Sequence, residues 1–301
     1  MKPVNKLQML AVLMLAAPLP ALAANGHYVP GIEATGGAFL PPAPGLYYRG
    51  YVVHYDINDV VDTSGDALPG SNSGTVSALA NRFVWVTERQ FLGADYGVEA
   101  IIPVQRTSLN FNGLGVDSSE SGVGDVYLGP VVLGWHGSQW DAVFAAGVWL
   151  DTAEHDARDP ASIGRGHHTT MLTLGGAWHF DEQRRWSVSA LSRYEIKGEQ
   201  DDTHITPGDS WLVEWALTHR LASGLEVALA GFDAWQLEAD SGTPSNDKLE
   251  RHAAGLELGY GWRELGMEVR GAVYHEYSTR AGSSGVQPEG NLFRLALTKA
   301  F

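Results

Sequence analysis

The chain has 301 residues, with 20 Lys and Arg against 35 Asp and Glu, a formal charge of −15 at pH 7 and no cysteine. That balance argues against a nucleic-acid partner, which needs a basic footprint, and the missing thiols exclude disulfides and thiolate-held metals. Its 36 glycines, 10 tryptophans and 11 tyrosines favour strands, turns and interfacial aromatics over helices.

The first segment, MKPVNKLQMLAVLMLAAPLPALAAN, places Lys2 and Lys6 before a short apolar core and ends in Ala21-Leu22-Ala23. This predicts a secretory signal peptide over residues 1–23, cut after Ala23; the short core with Pro18 and Pro20 argues against a permanent anchor. No later apolar run reaches the roughly 18 residues of a spanning helix. Residues 24–45 are rich in Gly and Pro and do not alternate. They read either as a flexible lead-in or as a plug tucked into a pore, with His27, Tyr28, Pro30 and Gly31 as plug candidates.

From there, alternation predicts about twelve strands. The first six are Leu46–Asp56, Val76–Thr87, Asp95–Gln105, Gly122–Trp135, Trp140–Leu150 and His168–Phe180. The second six are Arg185–Lys197, Ser210–Leu221, Leu225–Leu237, Glu250–Trp262, Leu265–Tyr277 and Asn291–Phe301. Most have the length of about 9–11 residues that a tilted transmembrane strand needs. Connections after odd-numbered strands are long and those after even-numbered strands short, the rhythm of a barrel with short periplasmic turns and long external loops. The chain ends on Phe301 with Phe293, Leu295 and Leu297 on the same face. This reads as a closing strand that pairs with the first, leaving no backbone edge unsatisfied in lipid. The expected fold is therefore all-β: a transmembrane antiparallel up-and-down β-barrel over residues 46–301. Tyr47, Trp135, Trp140, Trp178, Trp186, Trp211 and Trp262 are expected in interfacial girdles.

Several stretches carry a family resemblance in chain order: HYVPG at His27–Gly31, PPAPGLYY at Pro41–Tyr48, GADYGVEAIIPV at Gly93–Val104 and GVGDVYLGPVVLGW at Gly122–Trp135. RYE at Arg193–Glu195, PGDSWLVEW at Pro207–Trp215 and WQLEADSG at Trp235–Gly242 continue the series. With these motifs the chain resembles the outer-membrane protein family of meta-pathway phenol degradation. The resemblance implies a transporter-like barrel that admits small hydrophobic or aromatic molecules, and Phe301 resembles the signal read by the outer-membrane insertion machinery.

With apolar residues facing lipid, the opposite register lines the lumen. It holds Glu99, Arg193, Glu195, Glu214, Arg220, Arg251, Glu257, Glu268, Arg270, Tyr274, Glu276 and Arg294. Such charges either pair into a structural network or shape a selective pathway. Asp233 shares a register with lipid-facing Leu229, so either a bulge at Gly231 returns it to the lumen or it sits above the membrane. The acidic long loops read as solvated faces, with divalent cations bridging to lipopolysaccharide as the other reading. His155, His167, His168 and His204 lack zinc spacing, and no cofactor is indicated. The expected function is passive uptake of small hydrophobic or aromatic compounds across a Gram-negative outer membrane. The alternatives are a lipid hydrolase, for which outward His252 and His275 show no evident Ser partner in sequence, or a structural or adhesive barrel with a blocked lumen.

Overall fold

A computed structural model describes residues 26–33 and 40–301, so the expected signal segment lies outside the described residues. The alternating stretches form strands β1 (Gly45–Val61), β2 (Asn72–Phe91), β3 (Ala94–Phe111), β4 (Val116–Val123), β5 (Val126–His136), β6 (Trp140–Leu150) and β7 (Thr169–His179). They continue as β8 (Trp186–Lys197), β9 (Ser210–Arg220), β10 (Glu226–Gln236), β11 (Glu250–Trp262), β12 (Met267–Arg280) and β13 (Gln287–Ala300). Neighbours pair antiparallel around the wall, and β1 pairs with β13 to close it. β4 and β5 both pair with β3 and share one place in the circuit, so the barrel is closed and twelve-stranded. No helix among the described residues is long and apolar enough to cross a membrane; the strands do so.

The seam repeats the logic of the terminal alternation. Val52 pairs with Leu295 and His54 with Phe293 across β1 and β13, and the Phe301 N–H donates to the Leu46 carbonyl at 3.0 Å. Leu174, Leu229, Leu256 and Leu295 are all more than half exposed on the outer wall, a surface that suits hydrocarbon better than water.

Three sequence expectations change. The connection expected at 106–121 is largely strand, and the one at 57–75 is strand at both ends. β1 pairs with β2 as far as Ile57–Gly74, and β3 continues to Phe111 before a short 3-10 turn, Asn112–Leu114, leads into β4. Secondly, the stave expected at Gly122–Trp135 breaks between β4 and β5. Pro103 on β3 has no N–H to offer the ladder there; its carbonyl takes the Gly124 N–H at 2.9 Å. Asp125 turns away to bond the loop at 151–168. Thirdly, Tyr47 leaves the girdle: its register is that of inward Arg49 and Tyr51. Its hydroxyl donates to the Ala43 carbonyl at 2.8 Å, and its ring packs beside Leu40. The aromatic rims are otherwise supplied by outward residues such as Trp140 and Trp178, paired near the short turns, and Trp211 and Trp235, stacked at 5.2 Å near the long loops.

Candidate functional site

The lumen is built from the inward register. Arg49, Tyr51, Val53 and Tyr55 on β1 and Arg294 on the neighbouring β13 alternate inward, and across the lumen Arg193 on β8 and Glu214 on β9 do the same; all seven are buried. Charges so placed need partners, and the arginines and glutamates supply them. Glu257 receives Arg294 at 2.5 Å and Arg270 at 3.2 Å. Arg270 also meets Glu226 at 2.5 Å and Glu268 at 2.6 Å, and Arg220 bonds Glu226 through its Nε at 2.7 Å. Glu276 takes Arg251 at 2.6 Å and the Tyr55 hydroxyl at 2.5 Å, and Glu99 takes Arg82 at 2.6 Å. The Tyr274 hydroxyl lies 3.5 Å from Glu257.

Residues 26–33 run through this network, reaching opposite walls. The Tyr28 hydroxyl donates to Glu214 at 2.8 Å and its backbone N–H to Glu195 at 3.1 Å. The Arg193 guanidinium lies 3.8 Å from the centre of the Tyr28 ring and also reaches Glu214 at 3.2 Å. Arg294 donates to the carbonyls of Gly31 and Ile32, the latter at 2.7 Å. Gly31 has φ +84°, and a Cβ there would sit 3.0 Å from Leu292 and 3.2 Å from Phe232, so both conformation and space call for glycine. Pro30 is buried between two cavities of about 50 and 120 Å³.

The strongest anchor is Glu33, only 2% exposed. Its carboxylate takes Arg82 at 2.5 Å, Arg49 at 3.1 Å and the Tyr51 hydroxyl, while its N–H donates to Glu214 at 3.2 Å. Sequence reasoning missed Glu33, Arg49, Arg82 and Glu226. Arg49 and Arg82 lie in inward register on β1 and β2, so alternation was the signal that could have found them; Glu33 lies in a stretch with no period and carried no such signal.

At the long-loop mouth, His27 bonds Asp125 at 3.1 Å and Thr169 at 2.9 Å and stacks on Trp149 at 5.6 Å. Burial opposes ionisation of Asp125, but bonds from His27 and from the N–H groups of Ala153 and Thr152 hold its carboxyl down to about 2. Burial also pushes His167 down to about 3, so the ring is neutral where it meets His27 edge-on. A depressed carboxylate contributes stability that is complete above its ordinary value near about 4 and is lost as pH falls through about 2. A depressed histidine contributes stability that is complete above about 6.5 and declines as pH falls toward its folded value. Both have the same sign, so acidification is expected to loosen this latch and raise proteolysis of residues 151–168. Cleavage rates that stay flat from neutral pH to about 3 would contradict it.

The acidic loops are partly turn-formers. Asp62 accepts the N–H groups of Ser64 and Asp66, and Asp159 accepts the Ala161 N–H and the Ser118 hydroxyl, as aspartates do in tight turns. The loop at 151–168, expected to be solvated throughout, instead buries residues 160–164 at the mouth. His155 bonds the Gly164 carbonyl and His204 bonds Glu199; among the described residues no three His, Asp or Glu side chains converge on a metal-sized position.

Asp233 faces outward, without a bulge: Gly231 pairs regularly with Trp215 and Ala254. The missing side chain at Gly231 makes room for the Trp215 indole, whose N–H donates to Asp233 at 2.9 Å. The other carboxylate oxygen takes His252 at 2.8 Å. Ser278 is paired with His252 in register, yet no hydrogen bond joins the two among the described residues, and that bond is what activates a serine nucleophile. His275 bonds Asn291 instead. Asp233→Ala leaves an indole N–H and an imidazole unpartnered and is expected to cost about 1 kcal/mol at this half-exposed site, read as a lowered melting temperature in detergent.

A family model described as "Putative MetA-pathway of phenol degradation" matches residues 57–287. No curated protein matches the chain. Among solved structures, the COG4313 outer membrane channel from Pseudomonas putida F1 is similar with TM-score 0.77 at 15% identity, over 88% of this chain and 98% of that one. A Pseudomonas aeruginosa FadL homologue gives TM-score 0.49 at 10% identity, over 90% of this chain and 98% of that one. The first likeness shows the fold; the second adds nothing to it.

Proposed function

The chain belongs to the phenol-degradation family whose model it matches over residues 57–287, and from that premise we propose a passive outer-membrane channel closed by its own N-terminal segment. Its cargo is a small hydrophobic or aromatic compound, and its home is the outer membrane of a Gram-negative bacterium, reached after removal of residues 1–23. The observation that carries the reading is Glu33, held between Arg49 and Arg82 inside the lumen. Those interactions support reading residues 26–33 as a docked plug rather than a trailing lead-in. The similar channel fold supports the same reading. The paired luminal charges then act as a polar wall around the plug, and catalysis has no part in the proposal.

Phe301 is proposed as the insertion signal: it is 75% exposed at the closing seam, free for recognition from outside. Removing it is expected to lower the yield of membrane-inserted barrel while sparing refolding in detergent. Equal loss in both would make Phe301 a folding residue only. The transport reading itself is tested by uptake of phenol into proteoliposomes. Protein-dependent uptake by the intact protein or by one lacking residues 26–33 supports it, and rates matching empty vesicles in both would count against it.

A further inference from the structure

The larger upper cavity, about 120 Å³, lies between the N-terminal segment and the wall formed by β1, β2, β3 and β13. Its surface is mostly apolar: Val53, Ile57, Val76, Leu109 and Leu292 line it, and Pro160 enters from the loop at 151–168. Its volume is on the scale of the roughly 150 Å³ apolar cavity that accommodates a benzene ring.

One feature of the lining does not suit an empty apolar chamber. Arg165, which lines the cavity from the same loop as Pro160, makes no ion pair among the described residues, and its Nη1 is buried with no hydrogen-bond partner. The neighbouring charges are already engaged. Arg251 is bonded to Glu276. Asp125 takes His27 and the backbone N–H groups of Thr152, Ala153 and Arg165 itself. Glu195 takes the Tyr28 N–H and the Ser210 hydroxyl. Burial accordingly pushes the Arg165 guanidinium below its usual value, with Asp125 and Glu195 offsetting that only from a distance. A guanidinium with a buried, unpartnered N–H and no counter-charge in contact carries a desolvation cost, and an incoming anion would relieve that cost through charge-assisted, potentially bidentate hydrogen bonds.

We infer that this cavity is a binding site for a small aromatic acid, with the ring against the apolar wall and its carboxylate on Arg165. Gln105 and Thr107, also on the lining, offer neutral polar groups within the cavity. The inference rests on the channel reading and sharpens it: the cargo is an anion with an apolar body, and the site is a resting point on the luminal path. A simple inorganic anion would leave the apolar wall unused, and a neutral ring would leave Arg165 uncompensated.

The test is calorimetric titration of the folded, full-length mature protein in detergent with benzoate, benzyl alcohol, benzylamine and acetate. Benzoate is expected to bind at least about tenfold more tightly than each of the others. Arg165→Gln is expected to remove that advantage and leave benzyl alcohol unchanged. Ala78→Phe, which fills the chamber from β2 and leaves Arg165 in place, is expected to abolish binding of both. Benzoate binding no better than benzyl alcohol, or unaltered by Arg165→Gln in a protein with wild-type melting, would overturn the site. Acetate binding as tightly as benzoate would overturn the aromatic part of it. Proteoliposome permeation measured in parallel separates the two claims. Permeation without Arg165-dependent binding ends the site and spares the channel, whereas Arg165-dependent binding by the intact protein with no permeation even after deletion of residues 26–33 ends the channel and spares the site.

Discussion

Deleting residues 26–33 is expected to turn a nearly silent protein into a steady conductor in a planar bilayer. The segment bridges the lumen from Glu214 and Arg193 on one side to Arg49 and Arg294 on the other, and its Tyr28, Ile32 and Glu33 are each less than a tenth exposed. Its loss joins the cavities it now separates. The barrel should survive, because the wall keeps its own pairs: Arg82 with Glu99, Arg193 with Glu214, and Arg294 with Glu257. Water entering the lumen would solvate the Arg49 and Tyr51 groups released from Glu33. Ion flow past this ring of fixed charges should be ohmic and weakly selective. A deletion variant that inserts normally but stays silent would show that another element closes the pore. The loop at 151–168, which buries residues 160–164 at the mouth, would be the element to remove next.

What sequence made legible follows from what has a period. Strands fixed by alternation were readable, as was the closing role of the Phe293 to Phe301 stretch, whose partners on β1 are now explicit. The inward facing of Glu99, Glu257, Arg270 and Arg294 followed from the same rule, and all four are buried. Strand length above the membrane was not readable. Alternation fades in polar hairpins such as Arg106 to Ser121, yet backbone pairing continues there. The fate of Asp233 turned on a neighbour on the adjacent strand, which no local pattern reveals: Trp215, paired with Gly231, supplies the hydrogen bond. The plug anchor was the least legible part. Glu33 and Arg82 meet only because the chain enters the barrel before forming its wall, a tertiary event with no local signature.

Glu33→Gln is expected to destabilise the docked plug by roughly 3–5 kcal/mol, the usual cost of removing one partner from a buried ion pair. The amide can still accept from the Tyr51 hydroxyl, but it leaves Arg49 and Arg82 facing each other with less negative charge between them. Arg82 retains Glu99 at 2.6 Å, and Arg49 loses its 3.1 Å bond to a charged partner. The expected bilayer signature is flicker between closed and open levels, since the segment keeps its contacts with Glu214 and Arg294 and can redock. Adding Arg49→Gln removes the other member of the pair and is expected to recover part of the closed time. That non-additivity identifies a direct pair. Additive effects of the two substitutions would mean that Glu33 holds the segment by shape and backbone contacts, and that the plug would remain docked without its charge.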